Sequence, residues 1–143
     1  MGLSTTHDCF SGGYGQFHFF RRCVADVVGI PLDVMEGFYL EEEWLIWAGD
    51  TPLHKEMLGN RLKALPVRWK AFEHDPICIL LRHSDCEGEI AWEDAVGIAE
   101  RLEEIAPHIE WSGRSDWDFK ARCLQFAEGL RLAAERQENV EFH

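Results

Sequence analysis

HSDCEGEIAWED, residues 83–94, separates two apolar stretches, and its reading decides what kind of helical protein the chain describes. Before it, Asp75 and Pro76 form a helix-opening pair ahead of ICILLRH. After it, Ala95, Ile98, Ala99, Leu102 and Ile105 recur at helical spacing until Pro107. The segment therefore reads as a loop joining two helices. Gly88 then falls at the sixth position of a twelve-residue calcium loop, where the backbone must bend sharply. In that register His83 takes position one, Asp85 three, Glu87 five, the Glu89 carbonyl seven, Ile90 the apolar eighth and Asp94 twelve. Two departures weaken a calcium site. An imidazole replaces a hard oxygen at position one, and Asp94 is a methylene shorter than the glutamate that grips calcium with both oxygens. Between Arg82 and Arg101 there are six carboxylates and no Lys or Arg, a crowding that a divalent ion would relieve. The same charges also suit a solvated acidic turn at a helix N-terminus.

Outward from this loop, helical periodicity continues. Phe17, Phe20, Val24 and Val27 share one face, and Gly29, Ile30 and Pro31 supply a stop, which predicts a helix over about 14–28. Gly12, Gly13 and Gly15 ahead of it lack the strand and spacing of a dinucleotide fingerprint and read as a flexible lead-in. Pro31 opens a short turn that Gly37 closes. FYLEEEWLIWAG (38–49) suits an edge strand or a helix equally. Asp50 or Thr51 before Pro52 predicts a helix over 52–64. Ser115 or Asp116 can cap a long one carrying Trp117, Ala121, Leu124, Ala127 and Leu130. At the end, Val140 and Phe142 in ENVEFH alternate as in a short strand or a docked tail. The resulting expectation is a mainly α protein. It is a single globular domain, 1–143, built as a helical bundle with an EF-hand-like helix–loop–helix at about 76–105.

Softer ligands give a second reading of the same loop. His7 and Cys9 in HDC, with His83 and Cys86 in HSDC, could share a tetrahedral zinc ion, although such pairs are less diagnostic than two Cys-x-x-Cys knuckles. His83 and Cys86 could also form a thiol and base dyad. Cys23, Cys78 and Cys123 lie on apolar helical stretches and read as core; His18 and His108 have no partner motif. Phe17, Phe19, Phe20, Trp44 and Trp47 suit core packing better than a binding surface. No Ser-His-Asp order, phosphate loop or His-Glu-x-x-His helix is present.

Composition narrows the function classes. With 26 acidic residues against 14 Lys and Arg, the net charge of −12 repels a phosphate backbone and disfavours nucleic acid as a partner. No apolar run is long enough to span a membrane. Met1, Gly2 and Thr6 meet the permissive N-myristoylation pattern without a basic cluster to reinforce it. Five scattered cysteines fit reduced thiols and a cytoplasmic setting better than a secreted disulfide framework.

The MGLSTTHDC start, IPLDVMEGFY, LLRHSDCEGEI and the terminal ENVEFH together resemble a family of small uncharacterised proteins of actinobacteria and their phages. Arg82 stands where that pattern leads one to expect a small polar residue. The resemblance implies a bacterial or phage cytosolic setting and carries over no activity, ligand or catalytic residue. Two function classes follow. The first is a non-enzymatic acidic interaction or regulatory protein that binds a protein partner and carries a degenerate loop for calcium, magnesium or zinc. The second is a metal-dependent enzyme or zinc-binding protein using the 83–86 segment.

Overall fold

The computed structural model describes residues 2–38, 66–111 and 117–143. The expectations for 38–49 and 52–64, the pair Trp44 and Trp47, and the cap at Ser115 or Asp116 lie outside the described residues, Phe38 apart. Helix α1 spans Tyr14–Val28, where the Phe17, Phe20 and Val24 stripe requires it. The Gln16 side chain accepts from Gly13 N–H at 3.2 Å at its start. Gly29 ends it in the left-handed region at φ 75°, its N–H returning to Ala25 and Asp26. Helix α2 is short, Ile77–Leu81. Asp75 accepts from Ile77 N–H at 3.0 Å and also pairs with Arg101 at 3.1 Å, which ties its start to the next helix.

Helices α3, Trp92–Ile105, and α4, Phe119–Arg136, form the most extensive contact between elements among the described residues. Ala95, Ile98, Ala99, Leu102 and Ile105 bury one face of α3. Phe119, Cys123, Phe126, Leu130 and Ala133 bury the matching face of α4. The Cys123 thiol donates to the Leu102 carbonyl at 3.2 Å between them. Asp118 caps α4 by accepting from Ala121 N–H at 3.1 Å. No side chain of its own caps α3. Its first N–H, on Trp92, reaches Asn139 Oδ1 at 3.1 Å, 47 residues further along the chain. The buried apolar residues form one cluster, in which Phe10, Phe17, Phe20 and Phe126 are the largest fully buried side chains among the described residues.

The purely helical bundle expected from periodicity is overturned. About 59% of the described residues are helical, and the rest includes two small antiparallel sheets, so the fold is mixed α/β. Strand β1, Gly2–Ser4, pairs with β2, Ser11–Gly13; β3, Gly88–Ile90, pairs with β4, Val140–Phe142. Each strand has three residues; only β4 shows a legible alternation, in Val140 and Phe142, and β2 is written in Ser and Gly. A bridge from Thr5 to Phe142 joins the two sheets, and Ser4 and His143 exchange backbone hydrogen bonds of 2.9 and 3.1 Å. Among the described residues no helix is long and apolar enough to cross a membrane.

Candidate functional site

The N-terminal hairpin reaches its place through Gly129. A Cβ there would stand 2.5 Å from Cys9 Sγ and 2.7 Å from the His7 carbonyl, so only glycine lets the 3-10 turn Thr6–Asp8 lie on α4. Gln125 donates to the Asp8 carbonyl at 2.9 Å and Arg122 to the Ser11 carbonyl at 2.9 Å, holding it down. The turn is strained. His7 and Asp8 are consecutive non-glycine residues at φ 61° and 53°. The third positive-φ non-glycine residue among those described, Gln137 at 55°, is the αL cap of α4.

All three border one cleft of about 800 Å³ where the hairpin, β3 and β4 meet. Thr6 Oγ1 accepts from Glu141 N–H at 2.9 Å and lies 2.9 Å from His7 Nδ1, while His7 Nε2 lies 3.4 Å from Glu138. The register then places Glu89 directly opposite Glu141 across the β3–β4 ladder. Like charges in that position are mutually destabilising. Asp8 and Glu138 line the same cleft, and Arg136 is the only Lys or Arg among its described lining residues.

The loop of residues 83–94 contributes Glu89 and Trp92 to this cleft, and its expected ligands divide. Gly88 carries the bend at φ 104°, Ile90 is buried, and Asp94 lies in the first turn of α3. Positions one and seven meet, but by direct contact. His83 Nδ1 lies 2.8 Å from the Ser84 carbonyl and Nε2 3.2 Å from the Glu89 carbonyl, and the ring stacks on Phe142 at 3.9 Å. Glu87 is exposed, and Asp85 is half-buried towards α1, where its charge is felt by His18 and Arg21. Among the described residues, no group of three or more His, Cys, Asp and Glu side chains gathers in a metal-holding arrangement.

The zinc set is distributed in the same way. Cys9 is fully buried, and that burial pushes its thiol up to about 12; the Thr5 hydroxyl opposes the shift and Asp8 adds to it. A thiolate ligand is correspondingly costly there. Cys86 is exposed, its Sγ 3.4 Å from the Ser84 hydroxyl, while the His83 nitrogens face carbonyls, so the two make no dyad contact.

Sequence reasoning missed Arg21. The residue is 3% exposed, and its guanidinium is held between the rings of Phe17 and Phe38, at 4.6 and 4.8 Å. It donates to the carbonyl of His83 at 2.6 Å and more weakly to that of Leu81 at 3.4 Å. Burial lowers it to about 10, with Asp85 opposing. The helical spacing of Phe17, Arg21 and Val24 was the available signal, because an arginine on a buried stripe must find acceptors. Thr6 and Asn139, which join the tail to the turn and to α3, were also missed; nothing local marks them. Comparison of the chain with protein-family models, curated proteins and solved structures finds no match.

Proposed function

We propose that this is a non-enzymatic acidic interaction protein that receives a cationic side chain of a protein partner in the cleft beside β3 and β4. The observation that carries the reading is the Glu89 and Glu141 pair. Two carboxylates facing each other, with Asp8 and Glu138 nearby, form a surface whose repulsion an incoming Lys or Arg relieves. The chain's net charge of −12 would speed such an encounter and suits a partner with a basic surface, including one that otherwise meets nucleic acid. A bacterial or phage setting, implied by the resemblance of the terminal and loop segments, belongs to the same proposal.

Titrating the protein with an arginine-rich peptide, followed by isothermal calorimetry, tests the reading. Saturable, salt-sensitive binding is expected, and replacing both Glu89 and Glu141 by Gln should weaken it roughly tenfold or more. A double variant that binds as tightly as the parent would refute the site.

A further inference from the structure

A second cleft, of about 500 Å³, lies between the turn at residues 35–38 and the 3-10 turn Trp69–Phe72. Its walls are tied together by backbone. Met35 and Val67 form a parallel bridge, Glu36 N–H reaches the Val67 carbonyl at 2.8 Å, and Val67 N–H reaches Val34 at 2.9 Å. Gly37, at φ 82°, permits the tight turn that Phe38 N–H closes onto Met35 at 3.0 Å. The Trp69 indole donates to the Glu36 carbonyl at 2.6 Å, and the Phe38 ring meets Trp69 edge-on at 5.5 Å. The floor is therefore fixed before any ligand arrives.

The charges at this cleft depart from the rest of the chain. Arg68, Lys70 and Arg82 line it against two carboxylates, Glu36 and Glu73, in a protein of net charge −12. Arg22, Arg101 and Arg131 each have a carboxylate partner elsewhere, in Asp33, Asp75 and Glu103. None of the three cleft cations is ion-paired among the described residues. Arg82 is oriented instead by the Trp69 ring, with its guanidinium carbon 5.9 Å from the ring centroid.

We infer that this cleft is a binding site for the phosphoryl group of a small molecule. Two planar guanidinium forks and an ammonium match a tetrahedral dianion better than a single carboxylate, and the volume falls in the small-ligand range. The two lining carboxylates are suited to accept from hydroxyl groups on the remainder of the ligand. Free phosphate and a phosphate monoester share the recognised group. With Trp69 only 6% exposed, a stacked base is not required.

Isothermal titration of the full chain with inorganic phosphate, glucose 6-phosphate and glucose, at an ionic strength fixed with chloride, decides the matter. Calorimetric binding is preferred to a melting shift, because phosphate stabilises folded proteins by exclusion alone. Saturable one-to-one binding of at least one phosphorylated probe at millimolar concentration is expected, with none of glucose. Tighter binding of the sugar phosphate would assign a monoester, and equal binding would assign free phosphate. R68Q, at an exposed position, and R82K, which keeps the charge but loses the fork, should each weaken binding roughly tenfold. K120Q, exposed on α4, should leave it unchanged. No saturable binding of either phosphorylated probe, or an R68Q variant that binds as the parent does, overturns the proposal.

Discussion

The α3–α4 pair and the seam formed by the Thr6–Asp8 turn, β3 and β4 obey different rules. The helices bury regular stripes, close on each other through Cys123 and Leu102, and join Arg131 to Glu103 at their surface. Their apolar spacing agrees with the fold. The seam contains consecutive strained residues, a like-charged cross-strand pair, and side-chain hydrogen bonds between segments far apart along the chain. Conflict of that kind persists only where a completed core imposes it, and a cleft lined mainly by polar and charged residues is found there.

The sharpest way to break the comparison is Phe142→Ala. If the tail were a passive appendage, little would change. Because Phe142 is 3% exposed and touches Phe17, Phe126 and the His83 ring, a loss of about 3–5 kcal/mol in urea unfolding is expected, as for a helix core residue.

The next effect concerns acid. Burial, reinforced by Arg21 and Arg22 and opposed by Asp85, lowers His18 on α1 to about 4 from its ordinary 6.5. Below pH 6.5 the unfolded chain takes up a proton that the folded chain refuses until about pH 4. Stability is therefore retained above that window and falls through it, by up to roughly 3 kcal/mol. Denaturation series between pH 7 and 4.5 should show the decline in the parent and a shallower one in H18Q. Parallel curves would remove His18 as its source.

The smallest effect has the opposite sign. Glu89→Gln removes half of the like-charged pair and should raise stability by about 0.2–1 kcal/mol at low salt. The gain should vanish at high salt, while binding of a cationic peptide weakens. A variant destabilised at both salt levels would mean that Glu89 is not repelled by Glu141.

What was legible follows the same division. Helix α1 has the expected bounds, and α3 carries the expected stripe, because apolar spacing and Gly29 or Pro107 act locally. The alternation of Val140 and Phe142 was visible, but its partner was not: the residue facing Val140 is Ile90, in a segment read as loop. Gly88 announced its bend through its lack of a Cβ. The calcium register failed to foresee that the His83 ring would meet the Glu89 carbonyl, since spacing along a chain fixes neither ring direction nor strand pairing. The cleft around Arg68, Lys70 and Arg82 had no signature either, because the bridge from Met35 to Val67 assembles it from separate segments.

The hydrogen bond from Glu141 to Thr6 spans 135 positions. Residues 3–10, which supply Leu3, Cys9 and Phe10 to the core, leave the ribosome long before the strand that fastens them. During synthesis α1 can cover Phe10 early, through Phe17 and Phe20, whereas the cover that α4 and β4 provide arrives late. Closing so long a loop adds an entropic barrier late in folding. The period before β4 pairs is thus an interval in which the nascent chain is exposed to aggregation and to proteases, and docking of β4 ends it.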